Sequence, residues 1–182
     1  MASKPRNFEK DGYYHIYNRG ADKRAIFLTK RDYQRFLATL IYYQHDRSTS
    51  YAMYSRLKPA EKILYESANP TGLQEERVKI IAYCLMPNHY HFLLKLTRSD
   101  GATRFISDIQ NSGAKYFNEK YDRTGVLFQG VFKDKKIGDE ASLLQLTRYI
   151  HLNPISSKKS NPSGLVKNPQ EWVYSSYREW IN

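Results

Sequence analysis

Two apolar runs separated by three residues constrain this chain most. Val78 to Met86 and Tyr90 to Thr97 are rich in strand formers, and Pro87-Asn88 near their junction is a tight-turn signal. The segment is predicted to be an antiparallel hairpin. On the returning strand sits His89-Tyr90-His91. Side chains alternate across a pleat, so the two imidazoles share one face and can offer nitrogen to a single ion, while Tyr90 faces the other side. Such a pair is also what a half-exposed strand face bears when each ring bonds backbone or water, so a third ligand and some chemistry must come from elsewhere in the chain.

A polar stripe further on is the natural partner. Ser142 to Asn153 is predicted to be helical, capped by Asp139 or Ser142 and stopped at Pro154. Ser142, Gln145, Tyr149 and Asn153 fall on one line of that helix, with Leu143, Leu146 and Ile150 as its packing face. Tyr149 can be an amphipathic boundary residue and Asn153 a C-cap. Beside the histidine pair, however, Asn153 can add an oxygen ligand, and Tyr149, one turn away, a nucleophile. A phenol ionises near pH ~10 and needs a cation to polarise the phosphate it attacks. Two nitrogens and one amide oxygen suit Mg²⁺ or Mn²⁺ better than a closed zinc site. His151, about 200° round the helix from Tyr149, is expected to face away, in a structural or DNA-facing role.

The remaining elements frame this pair. Tyr13 to Tyr17 is a predicted strand ending at Asn18-Arg19-Gly20; His15 on it can neighbour the site, with nothing in the sequence to fix that. Thr29 caps a helix to about Gln44, with Tyr33, Phe36, Leu37, Leu40 and Ile41 at helical spacing. Gly101 to Glu119 is a second helix, with Phe105, Ile106, Ile109, Tyr116 and Phe117 on one stripe; Tyr116 is the rival nucleophile, better explained as core. Leu127 to Ile137 contains a strand interrupted by Gly130. The order strand, helix, strand, strand, helix, strand, helix predicts an α+β fold: a ferredoxin-like antiparallel sheet with helices on one face, plus an added C-terminal catalytic helix. One domain is expected over residues 1–182. Residues 1–11 form a loose basic arm, and 45–77 an insertion with a short helix near Pro59 to Tyr65. Residues 155–182 form a docking tail with a turn-rich stretch at 160–164 and an aromatic segment from Trp172 to Tyr177.

Composition bounds the partner. Twenty-nine Lys and Arg against 18 acids give a net charge of +11, and 16 tyrosines are interleaved among them. Cations for phosphates and planar rings for bases are what single-stranded nucleic acid requires. Arg19, Lys23, Arg24, Lys95, Lys115, Arg123, Lys133, Lys135 and Lys136 are the candidate phosphate contacts, about half of them ordinary solvated charge. Six such contacts to a single strand would give a log–log salt slope of roughly −4. Cys84 is the only cysteine, so no intramolecular disulfide and no Cys-based zinc site forms. With no apolar leader and no run of about 20 apolar residues, a soluble, cytoplasmic, DNA-associated protein is expected, with no membrane partner.

Pro87-Asn88-His89-Tyr90-His91-Phe92-Leu93-Leu94 and Tyr149-Ile150-His151-Leu152-Asn153-Pro154 together resemble the HUH single-tyrosine transposases, most closely their REP-associated branch. Tyr14 to Gly20, Tyr116 to Gly125, Phe128 to Phe132 and Trp172 to Tyr177 are similar too, so the resemblance covers most of the chain outside residues 45–77. It implies a strand transferase on single-stranded DNA, often beside hairpins. Its tyrosine forms a covalent 5′-phosphotyrosine and releases a 3′-OH, whose later attack rejoins strands without ATP. Carried over, His89, His91 and Asn153 hold the divalent metal and Tyr149 attacks. Insertion-sequence relatives commonly have Gln where this chain has Asn153, one methylene shorter. Some relatives are homodimers that exchange the tyrosine helix, and others act as monomers. Two other classes fit the residues alone: a non-catalytic nucleic-acid-binding module with structural histidines, and a metal-dependent nuclease that uses water.

Overall fold

A computed structural model describes residues 6–68, 75–155 and 165–181. Four strands, β1 (Tyr13–Arg19), β2 (Val78–Met86), β3 (His89–Leu96) and β4 (Lys133–Ile137), form one antiparallel sheet in the order β2-β3-β1-β4. The hairpin closes as predicted, with Met86 opposite His89 and only Pro87-Asn88 between. β1 is inserted between β3 and β4, with Tyr17 opposite His91 and Lys133. This is the split βαβ arrangement expected from the element order.

Period-two alternation sorts the strand residues onto two faces. Tyr14, Ile16, Leu85, Tyr90, Phe92 and Leu94 point into the main core. That core is roofed by α1 (Lys30–Tyr43) and α4 (Gly101–Lys120), whose Tyr33, Phe36, Phe105, Ile106 and Ile109 are buried. Burying each of these side chains contributes about 1.5–3 kcal/mol. Ile41, in phase by sequence, is instead exposed, and Tyr42 and Tyr43 close the helix's inner side. The other face packs α5 (Glu140–Leu152) through Leu143, Leu146 and Ile150 against Ala82, Cys84, Met86 and Leu93. Cys84 is fully buried, and burial raises its thiol pKa, so it is inert packing.

Local signals explain the helix starts. Thr29 and Asp32 form a capping box on α1, and Asp139 accepts from the Ser142 backbone N–H at 2.8 Å to cap α5. The fourth strand is shorter than the predicted 127–137 segment. Gly130 turns at φ +60°, and Phe128 makes only an isolated bridge to Gly20. The insertion carries two helices, α2 (Tyr51–Arg56) and α3 (Pro59–Ala68). Tyr51, Tyr54 and Tyr65 pack around Tyr42 of α1. Its return is anchored by Arg77, which donates to Asp46 and Asp108 at 2.6 Å each; residues 69–74 lie outside the described residues.

The loose arm expected over 1–11 is docked from residue 6 onward. Arg6 donates to Asp134 at 2.6 Å with its guanidinium over the Phe132 ring, and Phe8 is buried against Tyr14. Residues 1–5 are outside the described set. The aromatic tail does dock: Trp172 Nε1 donates to the Leu85 carbonyl at 3.0 Å, and the Leu85 N–H donates to Tyr174 O at 2.9 Å. A short α6 (Tyr177–Ile181) follows. The turn-rich stretch at 160–164 lies outside the described residues. Among those described, no helix is long and apolar enough to cross a membrane.

Candidate active site

The sheet face under α5 collects the chemistry. His89 and His91 project from it with ring centroids 5.1 Å apart, while Tyr90 is completely buried on the opposite face, where its hydroxyl accepts from Gln110 at 2.7 Å. Strand pairing adds two residues of β1 to the same face. Tyr17 lies opposite His91, with centroids 5.5 Å apart, and His15 lies one step along, its Nε2 only 2.9 Å from His91 Nδ1. Burial, with the neighbouring Lys135 ammonium second, lowers the His15 pKa to about 4, so the ring is neutral at pH 7.

α5 brings Tyr149 over these rings within the same chain. Its ring meets His91 edge to face at 5.6 Å and His15 at 6.2 Å. Tyr149 is 42% exposed. The rival Tyr116 is elsewhere: its hydroxyl donates to Asp32 Oδ1 at 3.3 Å between α1 and α4, behind the sheet. His151 faces away from the histidine pair, buried, with Nε2 2.9 Å from Ser176 Oγ and its ring against Tyr177 and Trp180. It is structural.

The donor set can be tested for a divalent cation. Asn88 gives its Nδ2 hydrogen to the Lys23 carbonyl at 3.1 Å, which turns its Oδ1 toward His89 Nδ1 at 2.7 Å. An amide oxygen only accepts, so His89 carries its hydrogen on Nδ1 and its lone pair on Nε2, the state a ligating imidazole needs. Asn153 is buried at the C-cap of α5, and its Nδ2 donates to the Tyr149 carbonyl at 2.9 Å. That bond commits the amide nitrogen to the helix and leaves oxygen as the atom Asn153 can offer a cation. Among the described residues, no three His, Cys, Asp or Glu side chains make a metal cage by themselves. Imidazole nitrogen from the histidine pair and amide oxygen from Asn153 are donor types that suit a hard cation better than a closed structural centre.

The basic candidates separate by face. Arg19, Lys95, Lys133 and Lys135 are on the histidine face, opposite His89, Tyr13, Tyr17 and His15 respectively. Arg19 donates to Gln129 Oε1, and Lys95 pairs with Asp11 at 3.5 Å. Lys136 points to the other face and pairs with Glu9 at 2.6 Å. Arg24 pairs with Asp22 at 3.6 Å in the loop after β1, where Lys23 sits at φ +62°. Lys115 is exposed on α4, and just beyond that helix Arg123 donates to Asn118 at 3.0 Å. The sequence left His15 open and did not single out Tyr17 or Asn88. Asn88 alone had a local signal, as the residue before the first histidine.

Comparisons with known proteins bear on the family and the fold. The family model "Transposase IS200 like" matches residues 57–153, from the insertion through both histidines, Tyr149 and Asn153. A Haemophilus influenzae protein described as a REP-associated tyrosine transposase is 26% identical over 125 residues. That match covers 62% of this chain and 66% of the relative, so the chain spans just under two thirds of its length. A solved structure of a REP-associated tyrosine transposase bound to a REP hairpin superposes with a TM-score of 0.64. It is 18% identical and covers 100% of this chain and 86% of that one, which establishes a shared fold. With more than half of its residues matched by that family model, the chain belongs to the IS200-like transposase family.

Proposed function

We propose that this protein is a DNA strand transferase that cleaves and rejoins single-stranded DNA through a covalent bond to Tyr149. The observation that carries the reading is the approach of Tyr149 to His91, 5.6 Å ring to ring, over one sheet face of one chain. Family membership and the likeness to a hairpin-bound transposase support it. His89, His91 and Asn153 would hold Mg²⁺ or Mn²⁺, which when bound supplies Lewis-acid polarisation of the scissile phosphate.

Tyr149 does the covalent work. Its Oη loses a proton and forms a bond to phosphorus, the bond to the 3′ oxygen breaks, and that oxygen leaves as a 3′-OH with a proton. The resulting 5′-phosphotyrosine retains the bond energy, and the reverse displacement by a 3′-OH regenerates the phenol and joins the strands. Lys133 and Lys135 of β4, with Arg19 and Lys95, flank the histidines and would neutralise phosphates on either side. Because Tyr149 and His91 meet within one chain, a monomer holds the pair without exchanging α5. A homodimer, if formed, would not be needed to bring them together.

The test is a labelled single-stranded DNA hairpin with flanking sequence, incubated with Mg²⁺ or Mn²⁺ and run on a denaturing protein gel. A protein–DNA adduct is expected from the wild type, with none from Tyr149→Phe. Cleavage with no adduct even at the shortest times would indicate water as nucleophile, and binding without cleavage a non-catalytic module. An adduct that survives Tyr149→Phe but not Tyr116→Phe would overturn the assignment.

A further inference from the structure

We infer that His15 is the positioning residue of this centre: its Nε2 accepts the Nδ1 hydrogen of His91 and commits His91 to present Nε2. The inference rests on the metal reading proposed above. It begins from the 2.9 Å separation of the two nitrogens. Either of two arrangements brings imidazole nitrogens that close: a hydrogen bond between them, or two lone pairs converging on one ion. Ring geometry separates the two. The centroids are 5.1 Å apart and the planes only 21° from parallel. That separation equals the nitrogen distance plus two ring radii, which requires each centroid, the two nitrogens and the other centroid to be nearly collinear. Lone pairs converging on an ion would bend that line and draw the centroids closer. The contact is therefore edge to edge, with one N–H aimed at one lone pair.

The direction of the bond follows from what His91 must do. A neutral imidazole has one N–H and one lone pair. If His91 accepted at Nδ1, its hydrogen would sit on Nε2 and that nitrogen could not ligate. If it donates from Nδ1, Nε2 carries the lone pair. His89 is in this same state, because Asn88 Oδ1 can only accept. The two histidines are then set alike, one by an amide in the hairpin turn and the other by an imidazole of the neighbouring strand. Partners of this kind fix tautomer and ring orientation and raise ligand basicity.

Two measurements decide it. Long-range ¹⁵N–¹H correlation on the metal-free wild type should find His91 as the Nδ1–H tautomer, with coupling across the hydrogen bond to His15 Nε2. The Nε2–H tautomer at His91 would overturn the inference without any variant. In Mn²⁺ titrations followed by electron paramagnetic resonance, His15→Phe should bind about 10–100-fold more weakly. His15→Gln, whose Oε1 can accept the same hydrogen, should recover most of that loss. Wild-type affinity in His15→Phe, alongside a clear loss in His89→Ala, would overturn the role of His15 and leave the metal reading standing. Three histidine nitrogens coupled to Mn²⁺ instead of two would make His15 a ligand and overturn it also. A wild type that binds no Mn²⁺, or binds it unchanged in His89→Ala, would remove the proposed centre and this inference together.

Discussion

Asn88 has both ends of its amide committed, and each commitment depends on the other. Its nitrogen reaches the Lys23 carbonyl in a loop where Asp22 and Lys23 both adopt positive φ, and its oxygen sets the tautomer of His89. Asn88→Ala is expected to weaken Mn²⁺ binding about 10-fold. Asn88→Asp keeps the acceptor for His89 but loses the donor to the Lys23 carbonyl, so it should recover only part of the affinity. A titration finding no change in Asn88→Ala would remove this residue from the site. At this scale, what the sequence revealed was whatever is local. His89, Tyr90 and His91 sort onto faces by strand alternation alone, and Tyr149 and Asn153 share a helical line. His15 was not legible as their neighbour, because its place depends on the register of two strands more than 70 residues apart in the chain. Periodicity within a strand says nothing about which strand lies beside it.

Asp32, by contrast, acts on an element. It sits at the third position of α1 and receives the backbone N–H groups of Leu28 and Thr29, the Lys120 ammonium, and the hydroxyls of Tyr116 and Tyr121. One carboxylate thus caps α1 and ties it to the end of α4. Burial alone would raise its pKa, but bonds from Lys120, Tyr121 and the two backbone groups outweigh burial and hold it down at about 2. A carboxyl depressed in the folded state stabilises above its unfolded pKa and loses that contribution as the pH falls through the folded value. The wild type should therefore lose about 1–2 kcal/mol between pH 4 and pH 2 from this group. Asp32→Asn should be destabilised by about 2–4 kcal/mol at pH 7 and lack that acid-sensitive part, as read from urea unfolding at both pH values. An Asp32→Asn curve parallel to the wild type across that range would show that another carboxylate is responsible. The helix starts were legible because Thr29 and Asp139 are side-chain caps adjacent to periodic runs. α2 was not, since six residues are too few for a period to register. What holds α2 is a cluster of tyrosines gathered from α1 and α3.

At the scale of the whole molecule, the net charge is +11, and the basic residues of the strands fall on both faces of the sheet. Only Arg19, Lys95, Lys133 and Lys135 of the nine basic candidates project from the histidine-bearing sides of strands β1, β3 and β4. Single-stranded DNA binding should show a log–log salt slope of about −3 if these four are the phosphate contacts. Lys133→Ala with Lys135→Ala should flatten it by about 1.4, and Lys115→Ala with Lys136→Ala should leave it unchanged. Equal effects from the two pairs, measured by fluorescence anisotropy, would place the DNA elsewhere. Composition made the basic excess legible, but its division between faces had to await the pairing of β1 with β4. The sheet order β2-β3-β1-β4 has one more outcome, which concerns the order in which the chain is made. β1 emerges from the ribosome early, yet both of its neighbours are synthesised later, β3 finishing at residue 96 and β4 at residue 137. Until β3 is made, Tyr13-Tyr14-His15-Ile16-Tyr17 is an aromatic strand with two open edges, and until β4 is made it keeps one, the kind of segment that self-associates or recruits a chaperone. The strand that brings His15 to the centre is thus the one whose protection the nascent chain completes last.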